Sequence, residues 1–151
     1  NKCYSIIKDK SNAEELVQEI FLKVFTNLKN FKNTSSFSTW LYSITYRSCI
    51  DYIRDLKKTK FDRLVVNIEL PENVEDVEDE EILSIKKERL AIILDQLHPI
   101  DKAVLLMKYQ DGLKLKVIQE ALTLSESAAK MKINRAKLKV VKLYQKLYPK
   151  D

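Results

Sequence analysis

Residues 113–147 read LKLKVIQEALTLSESAAKMKINRAKLKVVKLYQKL, and this run decides the fold. Leu115, Ile118 and Leu122 recur at helical spacing, which predicts a short helix over 114–122. Thr123-Leu124-Ser125 then reads as a tight turn, and Glu126–Leu147 as a longer helix whose apolar stripe is Ala129, Ile133, Ala136 and Val140. Ser125 is placed to accept hydrogen bonds from the first free N–H groups of that second helix. Ala129 is small enough for the two helices to approach closely, at the wide angle of a helix-turn-helix unit. The polar positions of the second helix are basic: Lys130, Lys132, Arg135, Lys137, Lys139 and Lys142. An amphipathic hairpin with a solvated lysine face would show the same pattern. Charge asymmetry favours DNA, because the last 38 residues hold ten Lys or Arg against Glu120, Glu126 and Asp151.

Composition agrees with a helical protein. The 151 residues include one Gly and three Pro, with Leu, Ile, Lys and Glu abundant. No apolar run is long enough to span a membrane, and no basic-then-apolar leader opens the chain, so a cytoplasmic protein without membrane insertion is expected. The chain opens on Asn1 rather than Met and reads as a fragment. Cys3 and Cys49 are too few and too far apart for a disulfide framework or a zinc knuckle, and His98, beside Pro99, reads as a loop residue. With one His, no metal-ligand cluster and no phosphate loop, neither catalysis, nor a cofactor, nor a metal is expected. The acidic run lacks the glycine and spacing of a calcium loop.

The net charge of +5 conceals a division. Residues 1–68 carry twelve basic and seven acidic residues. Residues 69–81 hold eight acids (Glu69, Glu72, Glu75, Asp76, Glu78, Asp79, Glu80 and Glu81) and no base. Basic charge returns beyond Lys114. Two basic lobes on an acidic tether read as two DNA-facing modules joined by a segment that avoids DNA.

In the first lobe, Asn12 is a candidate helix cap, with Glu15 completing a variant capping box. Leu16, Ile20, Val24 and Leu28, joined by Phe21 and Phe25, are expected to form the buried stripe of that helix. Glu14, Glu15, Gln18 and Glu19 cluster in its first turns. They fit either the preference of a helix start for carboxylates or a docking patch for a basic partner. Residues 29–36 form a polar loop with Phe31, Lys29 and Lys32, which suits unstacked nucleotides or an ordinary connection. A long helix from about Ser36 to Lys58 follows, with a core face expected at Phe37, Leu41, Ile44, Cys49, Ile53 and Leu56. It interleaves Trp40, Tyr42, Tyr46 and Tyr52 with Arg47, Arg54, Lys57 and Lys58, and Asp51 is spaced to pair with Arg47 and Arg54.

Taken together, Asn12–Phe21, Ser35–Ile44, and Asp51 with Arg54 resemble region 2 of bacterial sigma factors of the extracytoplasmic-function (ECF) type, in the sigma-70 family. Leu97-His98-Pro99-Ile100, Val104-Leu105-Leu106 and Tyr109-Gln110-Asp111-Gly112-Leu113 resemble the opening of region 4, and the helix-turn-helix follows in the expected order. The resemblance implies an all-α fold of two small helical domains joined by an acidic flexible linker. Their expected bounds are 1–66, with a shortened first helix, then a linker over 67–81, and 82–151. It implies a subunit that directs the RNA polymerase core to promoters. Glu15, Gln18 and Glu19 would meet the clamp helices of polymerase, whose flap would meet the second domain. Asn30, Phe31, Lys32, Asn33, Ser35, Ser36, Trp40, Arg47 and Arg54 would read and melt the minus-ten element. Ser125, Ser127, Ala128, Lys130, Met131, Lys132, Arg135 and Lys139 would read the minus-thirty-five element. The acidic tether would lie in the channel where RNA runs, and an anti-sigma factor is an expected partner.

The chain departs from the family pattern at named places. Thr123 stands where turns of the family often carry Gly, and Ser127-Ala128-Ala129 where Gly-Thr-Val is frequent. Thr45-Tyr46-Arg47 stands where Ala-Arg-Asn is common, and Ser43-Ile44 where housekeeping factors pair tryptophans. Two other readings fit the residues alone: a helix-turn-helix regulator acting without polymerase, with palindromic sites, and a helical adaptor with a lysine-rich surface.

Overall fold

A computed structural model describes residues 2–55 and 68–150. All the described regular structure is helical. The first lobe comprises α1 (Lys2–Ile7), α2 (Lys10–Asn27), a 3-10 turn at Leu28–Asn30, and α3 (Phe37–Asp55). The second comprises α4 (Asp79–Leu83), α5 (Lys87–Gln96), α6 (Pro99–Leu105), α7 (Leu115–Leu122) and α8 (Glu126–Leu147), with a π-helical turn at Leu106–Gln110 prolonging α6. The expected ends of the long helix at Leu56, Lys57 and Lys58, and the boundary at 66–67, lie outside the described residues.

Local chemistry explains most boundaries. Asp9, not Asn12, caps α2, accepting from the Asn12 N–H at 3.0 Å. The helix thus starts two residues before the expected cap, and Glu15 is one turn too deep to complete a capping box. Ser36 caps α3 through Thr39 N–H at 3.1 Å. His98 belongs to a helix start rather than a plain loop: its Nδ1 accepts from Ile100 N–H at 3.2 Å, and Pro99 fills the first helical position.

Periodicity placed some faces correctly and misplaced others. Ala129, Ile133, Ala136 and Val140 are all buried along α8. On α3 the buried face is Tyr46, Cys49, Ile50 and Ile53, whereas Phe37 is exposed and Leu41 and Ile44 are half-buried. The expected stripe on α2 is also narrower. Leu16 and Ile20 are buried, but Phe21 and Phe25 are 60% and 73% exposed and Leu28 is exposed too. Among the described residues only α1 and α3 pack substantially on α2, so a helix carrying more apolar residues than two neighbours can cover leaves some outside.

The two lobes share one apolar cluster. It runs from Cys3, Ile6, Leu16, Ile20, Tyr46, Ile50 and Ile53 to Val104, Met107, Ile118 and Leu122. The α3 helix lies against both α6 and α7. A second cluster, built on Ile82, Ile85, Ile93, Val140 and Leu143, holds α4 and α5 against α8. The acidic segment is not a free tether along its whole length. Val77 is buried in that second cluster, and Asp79-Glu80-Glu81 forms the first turn of α4. Acids at a helix N-terminus are stabilised by the macrodipole.

Candidate nucleic-acid interface

The loop after α2 carries a small aromatic box. The rings of Phe31, Phe37 and Trp40 lie 5.2–5.8 Å apart, centroid to centroid, with Phe31 edge-on to Phe37. Asn30, Lys32, Asn33, Ser35 and Ser36 belong to the same loop and are exposed, and Asn33 bends the loop through a left-handed conformation at φ 54°. Trp40 and Phe31 are half-buried. The box thus offers partly open π-faces in a loop that also carries the exposed Lys32, a combination suited to stacking unpaired bases. Arg47 is exposed on α3. Arg54 is differently employed, donating from a terminal guanidinium nitrogen to the Leu122 carbonyl at 2.9 Å.

The helix-turn-helix has the expected joint. Leu124 N–H donates to Gln119 O at 3.0 Å and Thr123 N–H to Glu120 O at 3.3 Å, the paired bonds of a Schellman stop. Thr123 itself adopts the left-handed conformation, φ 57° and ψ 47°. Ser125 then caps α8, accepting from Ala128 N–H at 3.3 Å. Ser127, Lys130 and Met131 project from its first turns, Met131 being 58% exposed, while Ala128 and Arg135 are half-buried. Lys130 pairs with Glu126 one turn earlier at 3.0 Å, an exposed contact that a phosphate can replace.

Not every lysine of α8 faces outwards. Lys132 and Lys139 straddle the buried Asp101 of α6, at 2.8 Å from Oδ1 and 2.6 Å from Oδ2. Burial pushes the Asp101 carboxyl up, but the charge and hydrogen bond of Lys132, and then Lys139, outweigh it and hold it below the usual carboxylate range. Lys137 is 7% exposed and reaches Asp79 at 2.8 Å. Hydrogen bonds from Lys137 and then Tyr109 lower Asp79 to about 2. Asn134, between them in sequence, binds the acidic segment by its backbone: Oδ1 accepts from Val77 N–H at 2.8 Å and Nδ2 donates to Glu75 O at 3.0 Å. Of the basic positions expected to face outwards, Lys137 is therefore buried and Lys132 and Lys139 are tied to an internal carboxylate. Asp101 and Asn134 had no local sequence signal, because their partners lie 31 or more residues away.

A third surface lies on α2. Glu15, Gln18 and Glu19 are exposed, and the exposed Phe21, Leu22 and Phe25 continue from them along the helix. Helical spacing alone assigns Phe21 and Phe25 to the core and does not single out Leu22. The surplus of apolar residues over one stripe was the available signal. Among the described residues no helix is long and apolar enough to cross a membrane, and no cluster of three potential ligands could hold a metal ion.

Comparison with known proteins places the chain in a family. The model for Sigma-70 region 2 matches residues 1–59 and that for Sigma-70, region 4 matches residues 87–140. The chain is 31% identical over 132 residues to RNA polymerase sigma factor YlaC of Bacillus subtilis, spanning 86% of this chain and 76% of that protein. To ECF RNA polymerase sigma factor SigX of the same organism it is 29% identical over 151 residues, spanning 95% and 76% of the two chains. Its fold resembles the sigma factor RpoE of Bartonella quintana, solved in complex with the anti-sigma factor NepR. The TM-score is 0.61 over 99% of this chain and 88% of that one, at 18% identity. The chain belongs to the sigma-70 family of RNA polymerase sigma factors, in its ECF group.

Proposed function

We propose that the family's work of directing RNA polymerase to promoters is divided in this chain among three separate surfaces. The α2 surface docks on the core enzyme, with Glu15, Gln18 and Glu19 meeting basic groups of the clamp helices and Phe21, Leu22 and Phe25 supplying apolar contact. The aromatic box and its loop capture an unpaired base of the minus-ten element, with Arg47 and Arg54 on the backbone. The start of α8 enters the major groove at the minus-thirty-five element, with Ser127, Ala128 and Met131 nearest the bases, Lys130 on a phosphate and Ser125 capping the helix. Arg135 follows one turn on, and Lys132 and Lys139 flank the groove. Neither chemistry nor a cofactor is needed, because the work is differential binding. The protein acts in the cytoplasm beside its polymerase, and an anti-sigma factor covering one of these surfaces would silence it.

The observation that carries this reading is the exposure of three chemically different surfaces, each on its own helix. An adaptor needs no capped, outward-facing α8 start, and a free-standing repressor needs no carboxylate–apolar face on α2. Capture of core polymerase by the wild type and by a Glu15→Lys, Glu19→Lys variant tests it. Charge-assisted contacts are worth roughly 1.5–3 kcal/mol each, so the variant should lose tenfold or more in affinity, as an order of magnitude, with its helical content unchanged. Equal capture would remove the docking assignment.

A further inference from the structure

We propose that Cys3 and Cys49 form a redox site, a thiol pair that a small hydroperoxide oxidises to an intramolecular disulfide and a dithiol reduces again. The two lie 46 residues apart in sequence, too far for a local motif, yet α1 packs on α3 and brings their sulfurs to 3.8 Å. Both stand as thiols, Cys3 2% and Cys49 0% exposed, within the apolar cluster of Ile6, Tyr46 and Ile50. A buried cysteine is often just a small core residue. What sets this pair apart is that the sulfurs touch. A disulfide brings two sulfurs to about 2.0 Å, so each must travel about 1 Å, which rotation about its Cα–Cβ bond supplies. Among the described residues no group of three potential metal ligands includes them, which leaves sulfur–sulfur chemistry as the use of the contact.

The contact is asymmetric, and the asymmetry sets the order of steps. The Cys49 S–H donates to Cys3 Sγ, which favours Cys3 as the thiolate and holds it below the ordinary thiol value against the opposing effect of burial. The same hydrogen bond, joined by burial, pushes Cys49 up. Cys3 is thus the nucleophile and Cys49 the resolving thiol. With hydrogen peroxide, the Cys3 thiolate attacks one oxygen and the O–O bond breaks. A Cys3 sulfenic acid forms, and the departing hydroxide takes up the proton that Cys3 shed, giving water. Cys49 Sγ then attacks the Cys3 sulfur. The S–S bond forms as the S–O bond breaks, and the second hydroxide leaves as water with the Cys49 proton. Two thiols lose two electrons and one peroxide gains them. So closed a site suits a small, uncharged oxidant, and α1, only six residues long, is the element whose local opening admits it. In a reducing compartment such a bond is transient and responds to oxidant. It also closes a loop that holds the whole of α2, and so constrains the unfolded chain. None of this uses the promoter-binding reading, and it stands or falls separately.

Hydrogen peroxide added to the reduced full chain tests the proposal, with dithiothreitol to reverse it. After quenching, the chain is unfolded in urea with N-ethylmaleimide and its mass is measured. The wild type should be lighter by two hydrogens, take no label, and yield a Cys3–Cys49 linked peptide when digested without reductant. Dithiothreitol should restore both labels. The oxidised chain should have a higher urea midpoint, its unfolded fraction at a given urea concentration falling roughly tenfold or more. Cys49→Ala should stop at a Cys3 sulfenic acid that dimedone traps, whereas Cys3→Ala should leave Cys49 reacting about tenfold more slowly or less. These variants sort the roles, and the wild-type masses decide the pair even if neither variant folds. A wild type that keeps both labels, passes to sulfinic acid, or links one chain to another would overturn the pair. A lower midpoint after oxidation would show that the bond distorts the native fold and would overturn it equally. Equal reactivity of the two single variants would overturn the assigned order of steps.

Discussion

Thr123 is a β-branched residue in a left-handed conformation, at φ 57°, closing α7. That region costs an L-residue about 1–2 kcal/mol, and glycine, which avoids the cost, gives back about 0.5–1 kcal/mol of chain entropy. Thr123→Gly should therefore stabilise the protein by about 0.5–1 kcal/mol, read as a higher urea midpoint with an unchanged slope. A lower midpoint would show that the Thr side chain contributes something the turn geometry does not reveal. Asp101 is the second residue whose setting fixes an outcome. It is 1% exposed between Lys132 and Lys139. Its folded carboxyl titrates below the ordinary value, so its stabilisation is full above about pH 4 and is lost as pH falls through the lower folded value. Asp101→Asn should cost roughly 2 kcal/mol at pH 7, allowing for the partial exposure of both lysines. It should also flatten the fall in stability below about pH 4. Urea midpoints at pH 7 and pH 3 for both proteins settle it, and parallel pH dependences would mean that the carboxylate is not what acid attacks.

Elements were legible where their signals are local. The α7–α8 joint could be read because a cap, a turn and a buried stripe fall within 35 residues, and Ser125, Ala129, Ile133 and Val140 all do in the structure what their spacing predicts. The faces of α2 and α3 were less legible, because periodicity says that a face is apolar without saying which neighbour covers it. Phe21 and Phe25 illustrate this: they lie on an apolar arc wider than the α1–α3 contact. The basic face of α8 was overread for the complementary reason, since Asp101 and Asp79 are remote in sequence from the lysines they hold. Sorting those lysines by partner refines what each should do. Among the described residues Lys130 has only the exposed Glu126 as its ion-pair partner, and it is placed for a phosphate. Lys130→Ala should weaken promoter and random duplex alike and lower the salt slope by about 0.9. Arg135→Ala should instead flatten the difference between the two duplexes, by roughly 1–3 kcal/mol if the contact is bidentate. Titrations across a salt series separate these results, and equal losses on both duplexes for both variants would mean that α8 holds DNA without reading it.

At the scale of the molecule, the acidic run reads in the sequence as a flexible linker, and contacts with the second lobe hold its latter part in place. Asn134 bonds to the backbone on both sides of Asp76, Val77 inserts into the cluster beneath α8, and Asp79 gathers Lys137, Lys108 and Tyr109. None of this depends on tether side chains binding one another, so a sequence window over 69–81 could not foresee it. The consequence is a boundary inside the acidic run. Residues 69–73 have one partly covered side chain, Leu70, and should be cut early by protease, whereas 75–79 should resist. Hydrogen exchange at the Val77 amide is the sharper probe, because that N–H donates to a side chain that can be removed alone. Asn134→Ala leaves Val77 N–H and Glu75 O without their partner, at roughly 1–3 kcal/mol if they stay buried, so the segment should lift into water instead. Exchange at Val77 should accelerate about tenfold or more, while amides in the middle of α8 keep their protection. Acid should act more weakly on the same contact: with Asp79 held at about 2, its pairing with Lys137 stays nearly whole down to about pH 4 and fades only below that. Equal exchange at Val77 in wild type and Asn134→Ala would mean that the tether is held by its apolar anchor alone, and the acidic run would then owe its place to Val77 rather than to α8.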